Sequence, residues 1–356
     1  LAASTLGGNL TVTSSGAITQ TGALSVTGTS SFTVSSANAM TLTNTSNSFT
    51  GAVTLSSGTG AVQLTDSSDT ILAASTLSGN LTVTSSGAIT QTGVLSVAGT
   101  SSFTVSGSNA MTLTQANTFT GAVTLSSGTG AVQITDSSTL ILAASTLGGD
   151  LTASADNGLT INGDLTTTGN MTLDGDLDNI STGTLTIASG VTLTANSGGA
   201  ITLDATTGGI IASGAITLKA VNGITINDDF TGSGAMTLNS DSDSDGTGDL
   251  TLANNVDIDS SGNSIEITQA DTSVGSSVTV NAGSAGITSN FTKAVTVDGA
   301  DASIITAAGS LTTTSTGNIT VDGVTSAELT NISGTYSLIS SGTSHFKPRL
   351  PPITGR

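Results

Sequence analysis

No cysteine occurs in these 356 residues, which excludes disulfides, thiolate metal sites and a cysteine nucleophile together. Tryptophan is also absent, tyrosine occurs once and phenylalanine seven times, so an ordinary aromatic-filled globular core is out of reach. Basic side chains number 5 against 24 acidic ones, a formal charge of -19. Such a chain repels phosphates and anionic lipid, and nucleic acid is excluded as a partner. No apolar run approaches the roughly 18 residues that cross a bilayer as a helix, so no membrane insertion is expected. The chain opens on Leu1 without a basic and then apolar leader, the expectation for a mature or excised piece.

What is present is small and β-forming. Apolar residues make up 36% of the chain, glycine takes 45 positions, and serine and threonine together roughly a third, which is too regular and too rich in Val, Ile and Leu for disorder. The sequence also repeats. LAASTLGGNLTVTSSGAITQTG at 1–22 returns at 72–93 with Gly7 replaced by Ser78, and FTGAVTLSSGTGAVQLTDSS at 49–68 returns at 119–138 with Leu64 replaced by Ile134. Near-identical units of about 70 residues therefore occupy 1–71 and 72–141, a third opens at Leu142, and degenerate repeats follow. The shorter motif is a small or turn residue followed by apolar, polar, apolar, as in GALSV at 22, GAVTL at 51, GAITL at 199 and 214 and GAMTL at 234. Alternation with period two over such short runs predicts short strands joined by tight turns, and no segment carries a helical period. Inward residues such as Ile201 and Leu203 alternate with outward Thr202.

Hairpins do not account for near-identical units repeated along the chain, whereas a coiled sheet does. With two or three strands per coil and some 22 residues per coil, the 70-residue unit amounts to about three coils, and residues 1–341 to about 15, in one all-β solenoid domain. Glycine and asparagine are expected at the positive-φ corners, and the recurring Phe32, Phe49, Phe103 and Phe119 as core fillers.

The GAITL, GAMTL and NLTVTSSGAIT units resemble the repeat regions of filamentous haemagglutinin-like proteins, the large secreted adhesins of Gram-negative bacteria, and more loosely autotransporter passengers. That resemblance implies a right-handed parallel β-helix, exported to the cell surface or the medium, with a host or cell-surface receptor as a partner.

The sharpest constellation of side chains is DSDSDGTGD at 241–249. Asp241, Asp243 and Asp245 stand at loop positions 1, 3 and 5 and Gly246 at the tight-turn position, as in calcium loops, with the Thr247 carbonyl and Asp249 completing an oxygen set. Position 12 is Leu252 and no helix flanks the loop, so Ca2+ binding, if present, is of the extracellular-module kind. In DGDLDN at 174–179 the carboxylates Asp174, Asp176 and Asp178 alternate, which places them on one exposed face if the segment is extended. Asp228 and Asp229 invite comparison with the acidic pairs of β-helical polysaccharide enzymes, but adjacent strand residues point to opposite faces, and no catalytic residue or enzyme activity is expected. Outward Thr-x-Thr pairs at 11–13 and 112–114 suggest an ice-binding array, yet strand propensity alone favours threonine.

Residues 342–356, GTSHFKPRLPPITGR, form a separate proline-containing basic tail. They hold all 3 prolines, the only histidine and 3 of the 5 basic residues, with no acid, against a body carrying 24 acidic and 2 basic side chains. Phe346, Lys347 and Arg349 are the expected assembly contacts of this tail on an acidic neighbour, with the lone His345 unassigned. Together these readings describe a secreted, non-enzymatic, adhesive rod that associates with itself end to end; a β-helical carbohydrate-active enzyme and an ice-binding solenoid are the alternatives.

Overall fold

The computed structural model describes residues 1–180, 183–245, 247–253, 256–261 and 263–269, and beyond these the backbones of strands from Thr272–Val274 to Ser337–Ser340. Among the described residues every regular element is a strand and every pairing is parallel, and the strands stack into a β-solenoid of about 12 turns. Among the described residues no helix is long and apolar enough to cross a membrane. Each turn contributes three strands, the first being Ser4–Leu6, Leu10–Ser14 and Ile18–Thr19 and the second Leu24–Val26, Ser30–Val34 and Met40–Leu42. Strand on strand, these build three sheet faces that wrap one apolar core. Met111–Phe119 runs through a corner as one nine-residue strand and serves two faces, with its register shifting between Leu113 and Asn117.

The pairing shows why so bland a sequence folds uniquely. Ile201 pairs Met171 and Ile224, and Leu203 pairs Leu173 and Ile226, so each inward column is a continuous aliphatic stack, while Thr202 sits half-exposed between Thr172 and Thr225. A slip of one residue along any strand would turn its aliphatic side chains to water. Burying each Leu or Ile contributes about 1.5–3 kcal/mol. Phe32 packs edge-to-face on Phe49 at 5.9 Å, and the second copy repeats the pair as Phe103 on Phe119 at 5.9 Å. All four are fully buried, as core fillers should be.

The repeat and the turn are not commensurate. Leu10–Ser14 stacks with Ser30–Val34 and then Val53–Ser57. Its copy Leu81–Ser85 instead joins the neighbouring column, following Ile18–Thr19, Met40–Leu42 and Val62–Asp66. The second copy is the tenth strand after the first, and at three strands per turn the 70-residue unit spans three turns and a third, not the three expected from its length. Turn length also varies about the expected value: Val62 pairs Leu81, 19 residues on, whereas Met171 pairs Ile201, 30 residues on.

Corner chemistry differs from expectation as well. Positive φ falls on glycines such as Gly158 and Gly223, but among the described residues the non-glycine cases are Ser36, Ser197, Ser244, Ser261 and one asparagine, Asn179. Asparagine instead clips turn to turn. Asn9, Asn80 and Asn170 each accept, through Oδ1, the backbone N–H of Thr29, Thr100 and Ala200 in the next turn at 2.9, 2.9 and 3.0 Å. Many glycines serve close stacking: a Cβ on Gly51 would lie 2.4 Å from the Gly28 carbonyl oxygen, and one on its counterpart Gly121 2.4 Å from that of Gly99.

Candidate functional sites

Three polar clusters stand out against the aliphatic core. The first lies inside the repeated region. Asn47 is fully buried: its Oδ1 accepts from Leu24 N and Gln20 Nε2, and its Nδ2 donates to the carbonyls of Leu42 and Thr65. Asp66 lies in the next turn, where its Oδ1 accepts from Phe49 N, Ser68 N and the Ser68 hydroxyl. The second copy rebuilds the set with Gln91, Asn117, Asp136 and Ser138, Asp136 taking Phe119 N at 2.7 Å. Burial pushes the carboxyl pKa of Asp66 and Asp136 above the ordinary 3.8, against the hydrogen bonds that favour the ionised form. Sequence reasoning missed this corner clamp. Its signal is that Asp66, Asp69 and Asp136 are the only ionisable side chains before Asp150, two of them in the phrase TDSS.

The second cluster gathers acids from consecutive turns on one flank. Asp174 and Asp204 are in-register neighbours on adjacent strands. Asn227 Nδ2 donates to Asp204 Oδ2 at 3.0 Å, and Ala205 N donates to Asp228 Oδ2 at 2.8 Å. The segment at 174–179 is not extended, because the chain turns after Asp174, so its three carboxylates do not share one exposed face. Asp176 N donates to Asp174 Oδ1, while the buried Asp176 carboxylate receives the Thr207 hydroxyl, leaving Asp178 exposed. Asp228 and Asp229 likewise do not lie in a strand. They occupy the corner between Ile224–Ile226 and Phe230–Gly232, and both line one groove of about 580 Å³ with Thr206–Ile211, Thr231 and Val256. Desolvation, followed by the neighbouring Asp204 and Asp229 carboxylates, raises the Asp228 pKa; Asp174 and Asp156 are raised by desolvation first and by nearby carboxylates second.

The third cluster is the loop after Met236–Asn239. One carboxylate oxygen from each of Asp241, Asp243 and Asp245 lies within 4.8 Å of the others, with Asp241 buried and the other two exposed. Asp245 N donates to Asp241 Oδ1 at 3.2 Å, and both the N–H and the hydroxyl of Thr247 donate to Asp245 Oδ1 at 2.8 and 2.6 Å. The structure thus brings three of the expected oxygens together; Asp249 is not part of that convergent group, and its backbone carbonyl accepts Ile224 N in the ladder. Gly246 and the whole tail, including His345, Phe346, Lys347 and Arg349, lie outside the described residues.

Residues 1–56, 59–126 and 129–181 match the family described as Repeats of unknown function (DUF5649), which takes in just under half of the chain. Comparison with curated proteins and with solved structures gave no match. The chain is thus a β-solenoid repeat protein whose amino-terminal half is similar to a family defined by its repeats.

Proposed function

We propose that a solenoid built of such repeats is a structural and adhesive element, secreted to a cell surface or the medium, where copies stack into a fibre. The carrying observation is the uniformity of the contact between turns: parallel in-register pairing recurs from Ser4–Leu6 to Ile265–Gln269, so any turn is a template for the next. The resemblance of the GAITL-type units to filamentous haemagglutinin-like adhesins supports the surface location and the adhesive role. Electron microscopy of the purified protein tests the reading. Filaments or end-joined rods are the expected outcome, and separate rods at every concentration would remove self-association.

Within that role the loop at Asp241, Asp243 and Asp245, with Thr247 and Asp249 beside it, is a Ca2+ site that stiffens one corner. The convergence of three carboxylates favours this reading, since they repel one another without a cation. Calcium at millimolar concentration should raise the melting temperature by mass action, and chelator should reverse it. An Asp241→Asn/Asp243→Asn/Asp245→Asn variant that responds to calcium as the parent does would show that the ion acts elsewhere.

A further inference from the structure

The groove at Asp228 has a mixed lining. Acidic side chains occupy one wall, Asp228 and Asp229, with Asp204 adjoining Asp228. Buried Ile210 and Val256 line its inner part, and Ile211 stands outward, 38% exposed, in a column where its partners are Thr186 and Thr231. An outward isoleucine among threonines, beside paired carboxylates, suits an aromatic or aliphatic group flanked by cations. Lys219 is the only lysine or arginine among the described residues, so the chain's matching charge resides elsewhere. It is concentrated at 345–349, where Phe346, Lys347 and Arg349 combine an aromatic ring with two positive charges and no acid.

We propose that this groove receives the 345–349 segment of a second copy of the chain, Phe346 against Ile211 and the Lys347 and Arg349 cations beside Asp228 and Asp229. The inference rests on the self-association reading and gives it a specific contact. A second copy is favoured over the same chain by reach. From the level of Met236–Asn239, the third face continues through Ile265–Gln269, Ile287–Phe291 and Leu311–Ser315 to Ser337–Ser340. That is four steps, about 19 Å along the axis at about 4.8 Å per step. The six residues from Ser340 to Phe346 span at most about 21 Å, which leaves almost nothing for the path around the rod. The groove volume of about 580 Å³ is ample for an aromatic side chain and the stem of a base.

The test is sedimentation velocity of the full chain over a concentration series. The variants are Asp228→Lys/Asp229→Lys, Lys347→Glu/Arg349→Glu, and the two pairs combined. Each pair alone should weaken association at least tenfold, and the combination, with its charges exchanged, should restore it. Association unchanged in either single pair, or unrestored in the combination, would overturn the groove contact while leaving stacking intact. A chain monomeric throughout would overturn both. Phe346→Ser should lower association at high salt, where the charge contribution is screened, and parental behaviour there would remove the apolar half of the contact.

Discussion

Residues 1–149 and 150–268 run on the same scaffold with opposite surface policies. The first stretch has three ionisable side chains, near-identical copies and turns of 19 to 23 residues; the second carries most of the described carboxylates, on corners that lengthen one turn to 30 residues between Met171 and Ile201. Yet Leu173 still meets Leu203 and Thr172 still meets Thr202 across that long turn. The inward columns therefore fix the register, and the corners are free to grow. In the loop that follows Asp174, Ile180 is 85% exposed without disturbing the ladder on either side. Specific chemistry accumulates in the second region because it occupies positions that the stacking does not need.

The largest effect should separate ladder from surface. Leu203→Asp places an unpaired charge between Leu173 and Ile226 and should destabilise the fold by several kcal/mol, against less than about 1 kcal/mol for Thr202→Asp. Denaturant unfolding of the two variants measures the difference, and equal losses would dissolve the distinction between column and surface. A smaller loss, of about 2–3 kcal/mol, is expected from Asn47→Ala, which leaves Leu24 N and the carbonyls of Leu42 and Thr65 without their buried partner. Asn117→Ala should match it, since the second copy builds the same contacts around Leu95 and Leu113. Unequal costs would mean that the two copies are alike in sequence only.

The smallest effect is in pH, and its sign is set by the raised carboxyl pKa values. Asp66, Asp136, Asp156, Asp174 and Asp228 all hold their proton more tightly in the fold than at the ordinary 3.8. Below 3.8 both states are protonated; as pH rises from there through the folded values, the unfolded chain ionises first, so stability falls and then levels. The protein should melt at a higher temperature near pH 3.5 than at pH 7, with Asp66→Asn/Asp136→Asn and Asp174→Asn/Asp228→Asn each removing part of the slope. A melting temperature that falls on acidification would contradict the sign.

Much of this architecture was legible in sequence. Alternation in units such as GAITL gives strands, their orientation follows, and repetition gives a solenoid, because inward and outward choices are written directly into residue type. What was not legible depends on contacts between turns. Nothing in LTVTS at 10–14 and 81–85 reveals that the copies lie on different faces, since that follows from the strand count between them. Asp228 and Asp229 pass for strand residues in the sequence because a corner of three residues leaves no turn signature beyond themselves. Asp66 looks like a surface acid until Phe49 N and Ser68 are found pointing at it.

The third of a turn left over in each 70-residue unit has a consequence for any rod extended by copying such units. Each duplicate rotates by 120° as it is added, like the offset scale of a vernier, so a patch that appears once per unit visits all three sides before returning to the first after ten turns. At about 4.8 Å per turn the same side recurs roughly every 48 Å. Duplication of a segment thus generates a surface with threefold screw symmetry from a single chain, and a rod so grown has no front or back.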